Sequence, residues 1–329
     1  MPENDSNCAT KNCTTKKIQV GGQAVLEGVM MRSKRFWAIA VRRPDQTIST
    51  KIFKEISLMS KKKVLGFFFI RGIVALGENL VLGFKALSQS VGEATGDEVK
   101  FSNKQMAISV VIALLFTVGI FFVLPTLIGR SFSNFFKSSI VYNLLEGLVR
   151  IVFFLVYIAV VSLLKDIKRL FQYHGAEHKT IAAYEHGVEP ENLNPGTVRK
   201  YSRLHLRCGT SFLLIVMVVS ILIFALLGKP SSGILSTIIW RIASRIVLLP
   251  VIAGISYELI RLAGKFSRFK IINVIFYPGL LLQRITTREP DDSQIEVAIS
   301  SFKEVLTAEQ NEPGDDKIIT VRDDVSVNA

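Results

Sequence analysis

The sequence predicts a mainly α-helical, polytopic membrane protein. About four transmembrane helices are expected in two hairpins, with amphipathic or re-entrant helices and a small N-terminal β-containing cytoplasmic module. Three observations lead there. Hydrophobic residues make up 49% of the chain and mean hydropathy is +0.38, too apolar for a soluble domain with 20% charge unless the apolar residues are concentrated. They are concentrated: residues 106–129 and 211–228 carry no charge and are long enough, or nearly so, to cross about 30 Å of hydrocarbon. Residues 140–164 and 234–264 are similarly apolar but contain charges. Lastly, basic residues fall on one side of these spans.

Residues 1–17 are polar, lack the apolar core of a signal peptide, and are expected to be a disordered tail in the cytosol. Residues 18–60 are expected to form a small module. Within it, apolar and polar residues take turns over Phe36 to Arg42 and Thr47 to Phe53, around a turn at Arg43-Pro44-Asp45-Gln46. Residues 61–105 contain an apolar, glycine-rich stretch interrupted by Arg71, Glu78 and Lys85, expected to be a pair of amphipathic or re-entrant helices. The first hairpin is placed at 106–164, a loop at 165–210, and the second hairpin at 211–264. Over 265–306, an interfacial stretch broken by Pro278-Gly279 precedes an amphipathic helix capped by Asp291 or Ser293. Residues 307–329 are expected to be a polar tail.

Basic residues before the first span (Arg42, Arg43, Lys61 to Lys63) and between the hairpins (Lys165, Lys168, Arg169, Arg199, Arg203) place both termini and the loop at 165–210 in the cytoplasm, in a plasma membrane. The net charge of +13 flanks the spans and is not interleaved with aromatics, so the expected partners are the bilayer and its anionic lipids. A membrane-protein partner fits as well; nucleic acid does not. Charges inside the spans (Glu146 with Arg150, Glu258 with Arg261) read best as ion pairs between helices. Three cysteines, two of them (Cys8 and Cys13) in the N-terminal tail, argue against a disulfide framework.

Chemistry concentrates in the loop at 165–210. Tyr173-His174-Gly175-Ala176-Glu177-His178 puts two imidazoles at i, i+4 on one helical face, with Glu177 on the same face. This H-x-x-E-H order suits a divalent metal beside a general base. The helix is expected from near Lys168 to His186, ended by Gly187. Gly175 inside it costs about 1 kcal/mol against alanine, a cost that close backbone approach would justify. After the loop, His205 and Cys208 supply two more donors. His174, His178, His205 and Cys208 are therefore the candidate ligands, with zinc the expected metal.

The stretches GGQAVLEGVMMRS, YHGAEHKTIAAYE, RCGTSF and QRITTREP together resemble the YqhQ-like family of bacterial membrane proteins. That family has no assigned function and is described as predicted metal-dependent enzymes. The resemblance implies functional weight for Glu27, Arg32, His174, Glu177, His178 and Cys208. The family has proline after the second-loop histidine where this chain has Leu206.

The expected function is a metal-dependent hydrolase, with Glu177 activating water and Glu27 or Arg32 orienting substrate. An alternative is a non-enzymatic scaffold stapled by a structural metal; a transporter built on the intramembrane charges ranks behind both.

Overall fold

The computed structural model describes residues 17–67, 70–96, 103–131, 138–205, 208–227, 233–266 and 270–311. Cys8, Cys13, Leu206 and most of the two expected tails lie outside them. The N-terminal module is a four-stranded antiparallel meander, β1 (Gly21–Val25), β2 (Gly28–Arg32), β3 (Phe36–Arg42) and β4 (Ile48–Lys54), in that spatial order. The β3–β4 hairpin forms where the sequence places it, with Arg42 opposite Ile48. Asp45 secures its turn by accepting from the Thr47 amide at 3.0 Å and the Thr47 hydroxyl at 2.6 Å.

The expected alternation fails on β3, which is buried over Phe36 to Val41. The sheet is covered on both sides, so each face of β2 and β3 needs apolar residues. Met30, Trp37, Ile39 and Val41 meet Leu82 and Ala86 of one helix, and Val29, Met31, Ala38 and Ala40 pack with Tyr173, Ile295 and Phe302 of two others.

The short helix α1 (Leu58–Lys61) leads to α2 (Ile70–Thr95), one continuous helix where the sequence suggests a pair. Its C-terminal half covers the sheet. In its N-terminal half, Gly72 comes against Gly254 and Tyr257, and Arg71 meets Glu258 at 2.5 Å. Then come α3 (Asn103–Val118), a π-helical turn, α4 (Leu124–Ser131), α5 (Ser139–Val161), α6 (Lys165–Glu185) and the short α7 (Pro195–Val198). The order ends with α8 (Gly209–Ala225), α9 (Ile234–Lys265), α10 (Lys270–Thr286) and α11 (Asp292–Asn311).

Three helical stretches, Ala107–Gly129, Ile140–Val161 and Ile242–Ala263, are long and apolar enough to cross a membrane. The remaining expected span, residues 211–228, corresponds to α8, apolar but only 17 residues long. It packs on α9 through Val219, Phe224 and Ile252. Glu146 of α5 is shared by Arg150 at 3.0 Å and Arg245 at 2.6 Å, and Glu258 pairs with Arg71 of α2. The carboxylates within these candidate spans are thus ion-paired, as apolar surroundings demand.

Pro278 does not break α10, which continues through it. A proline forfeits one helical hydrogen bond, and Gly279 beside it lets Ser211 of α8 approach closely. At the start of α11, Asp291 and Gln294 form a reciprocal capping box. The Gln294 amide donates to Asp291 Oδ1 at 2.9 Å, and the Asp291 amide donates to Gln294 Oε1 at 3.0 Å. The helix runs past 306 to Asn311, so that Glu309 reaches the β2–β3 turn.

There Glu309 accepts from Ser33 Oγ at 2.7 Å and Arg35 Nε at 2.9 Å. Burial alone would raise the Glu309 carboxyl, but the bonds from Ser33 and Arg35 hold it below its ordinary value. Its stabilising effect is complete above the unfolded carboxyl value of about 4.3 and is lost as pH falls through the lower folded value. Glu309→Gln is expected to cost about 1 kcal/mol at neutral pH and to reduce the loss of stability on acidification. Denaturant unfolding in detergent across that pH range checks both.

Candidate metal centre

Helix α6 lies along β1 and presents His174, Glu177 and His178 on one face. It ends where expected, with Gly187 at φ +101° accepting the left-handed turn that closes the helix. The two imidazoles stand one turn apart, their centroids separated by 4.4 Å. Both are latched from behind by backbone. His174 Nδ1 lies 2.8 Å from the Thr286 carbonyl, and His178 Nδ1 lies 2.5 Å from the Arg203 carbonyl. Carbonyl oxygens only accept, so each Nδ1 carries the proton and each Nε2 keeps its lone pair.

Cys208 caps the N-terminus of α8 and sets its sulfur against those lone pairs. Its Sγ is 3.3 Å from His174 Nε2 and accepts from the Thr210 amide at 3.4 Å. The donor atoms of His174, His178 and Cys208 all lie within 4.8 Å of one another, a grouping that could hold a metal ion. Burial holds the His178 imidazole below its ordinary value, in the neutral form that ligates.

Glu177 supplies an independent sign. It is 4% exposed, and its Oε2, 3.9 Å from His174 Nε2, has no hydrogen-bond partner among the described residues. The Gly22 amide donates to the carboxylate. Burial raises the Glu177 carboxyl above its ordinary value, partly offset by His174 and His205. Two imidazole nitrogens, a sulfur and an unmet carboxylate oxygen face one buried space. A cation among them would use all four donors and meet that oxygen, so the residues present fit a metal.

A cavity of about 630 Å³ opens onto this group. Its walls include β1 from Gly21 to Ala24, together with Leu82, Leu213 and Arg32. Arg32 donates to Asn79 Oδ1 at 2.8 Å and lies 3.7 Å from Glu78.

A family model described as a protein of unknown function, DUF1385, matches residues 67–308. Over 310 residues the chain is 36% identical to the uncharacterised protein YqhQ of Bacillus subtilis (strain 168), covering 88% of this chain and 92% of that protein. The chain belongs to the DUF1385 family. No solved structure matches it. The DUF1385 match takes in His174, Glu177, His178 and Cys208 but not the sheet, so Gly22 and Glu27 come from outside the matched residues.

Of the seven residues singled out in the sequence, four gather at the centre, His174, Glu177, His178 and Cys208, and Arg32 lines the cavity beside them. The other two stand apart. The His205 ring lies 5.9 Å from that of His178, with its Nε2 3.0 Å from Glu185 Oε2. Gln283 turns it that way by clasping its backbone on both sides, accepting from the His205 amide at 2.8 Å and donating to its carbonyl at 2.7 Å. Glu27 occupies the β1–β2 turn at φ +52°, a conformation that favours glycine. Its carboxylate is engaged by the Arg169 guanidinium and by Tyr173 Oη at 3.2 Å. It anchors the hairpin to α6 and does not border the cavity.

Sequence reasoning missed the latches: the Thr286 and Arg203 carbonyls, Gln283 and the Gly22 amide. Backbone groups leave no residue-type signature. A signal nevertheless existed, because GGQAVLEG, YHGAEH, RCGTSF and QRITTREP each deliver at least one group to this centre.

Proposed function

We propose that this protein is a zinc-dependent hydrolase working at the cytoplasmic face of the plasma membrane. The observation that carries the reading is the convergence of His174 Nε2, His178 Nε2 and Cys208 Sγ beside the unsatisfied Glu177 Oε2. Two neutral imidazoles and a thiolate are donors that suit zinc, and three protein ligands leave a position open. Bound there, zinc would supply Lewis-acid polarisation of a substrate carbonyl and of water.

The chain's own groups do the rest. Glu177, its carboxyl raised by burial above its ordinary value, takes a proton from the attacking water and returns it to the leaving group. The Gly22 amide holds the carboxylate in place, and the Thr286 and Arg203 carbonyls keep both Nε2 atoms aimed inward. The positive-inside distribution of Lys and Arg supports the cytoplasmic placement, with anionic lipids as neighbours.

The burial of His178 and Cys208 favours one rival, a structural metal that fastens α6 to α8 for a membrane scaffold. Elemental analysis of the purified protein tests the metal itself. About one equivalent of zinc is expected in the wild type, and close to none in His178→Ala or Cys208→Ser. Wild type prepared without chelators and still free of metal would end both readings. Hydrolysis that survives in Glu177→Gln would leave only the structural one.

A further inference from the structure

We propose that the substrate is a polypeptide, bound in extended form along the free edge of β1. This rests on the hydrolase reading and names its substrate class. In the sheet order β1-β2-β3-β4, β1 is an edge strand. Its hairpin closes with Val25 opposite Gly28 across a two-residue turn. Alternation from that closing pair commits Val25, Gln23 and Gly21 to β2, and turns the amides and carbonyls of Gly22 and Ala24 outward. Glu177 comes against Gly22, its Cγ and Oε1 lying 2.9 Å from where a Cβ on that residue would stand.

The outward side of β1 is also a wall of the cavity that holds the metal group, from Gly21 to Ala24. Gly21 and Gly22 are exposed. A second strand placed about 4.8 Å from β1 therefore has room and backbone partners. Repeating N–H and C=O groups are what an unfolded polypeptide brings; a lipid or sugar has no matching period. The contact of Glu177 with Gly22 sets the register. A peptide pairing at Ala24 passes Glu177 opposite Gly22, which is where its amide is cut. Water adds to that carbonyl carbon, the C–N bond breaks, and the proton held by Glu177 goes to the departing amine. A carboxylic acid and an amine result, with no other reactant.

The test uses the full-length, zinc-loaded protein in nanodiscs and a library of unstructured peptides, with cleavage mapped by mass spectrometry. Wild type is expected to cleave peptides. Glu177→Gln should not, yet peptide should slow amide hydrogen exchange across Gly22 to Val25 in that variant. Ala24→Pro removes one outward amide and no β1–β2 bond; kcat/KM should fall about tenfold or more, chiefly through KM, with zinc content unchanged. Gly21→Leu, which adds a side chain to an exposed position lining the cavity, should act in the same direction. Wild-type cleavage by both edge variants would overturn edge pairing while leaving the hydrolase reading intact. A zinc-loaded wild type that cleaves no peptide and shows no slowed exchange in β1 would overturn the polypeptide as substrate. Absence of zinc from wild type would instead remove the hydrolase reading beneath it.

Discussion

A Gly175→Ala variant is expected to lose most of its folded, metal-binding population. In a solvent-facing helix this change would stabilise by about 1 kcal/mol, because alanine is the better helix former. Here the sign reverses. The carbonyl of Arg288 rests on α6 where the alanine methyl would sit, and Pro290 lies just beyond. The contact is fixed from both sides, since the Arg288 amide donates to the Phe171 carbonyl at 2.8 Å. Relief requires the 286–290 segment to lift off α6. That withdraws the Thr286 carbonyl from His174 and releases the ring from its ligating orientation. A cost of about 3 kcal/mol or more is expected for backbone overpacking of this kind. Denaturant unfolding in detergent, with zinc content measured alongside, checks it. Wild-type stability in the variant would show that the segment does not depend on contact with α6.

Glu177→Gln is expected to keep zinc, hold or gain stability, and lose turnover by about 10²–10⁴-fold. The amide is nearly isosteric, and its carbonyl oxygen can still accept from the Gly22 amide. What it cannot do is take a proton from water. Stability should not suffer because the change removes a buried carboxylate with an unmet oxygen. Three measurements separate the cases: zinc by elemental analysis, melting in detergent, and peptide cleavage. Loss of zinc would reassign Glu177 as a ligand. Unchanged cleavage would remove it from the chemistry.

The sequence carried much of this, unevenly. The i, i+4 histidines, the stop at Gly187 and the cap at Asp291 were legible because each depends on neighbours within a helical turn or two. Cys208 was legible because it is the single cysteine outside the N-terminal tail. His205 was not, since its ring is aimed by Gln283 of α10, far away in sequence. The double burial of β3 was equally hidden: alternating alanine with larger apolar residues resembles a one-faced strand until helices are known to cover both sides. Pro278 misled for a related reason, as local rules set its cost but not the packing of α8 at Gly279 that offsets it. Glu27 drew attention as a reactive carboxylate, whereas the structure uses it to secure a turn against Arg169 and Tyr173.

The latch from Thr286 to His174 also has a consequence for biosynthesis. A ribosome makes both histidines and Cys208 well before it reaches Thr286 and Arg288. Until that stretch emerges, the earlier helices can enter the bilayer with the donors present but His174 free to swing. The segment from the end of α10 to α11, translated late, is thus the one that orients His174. Chains truncated before residue 286 should carry every proposed ligand and still hold zinc weakly.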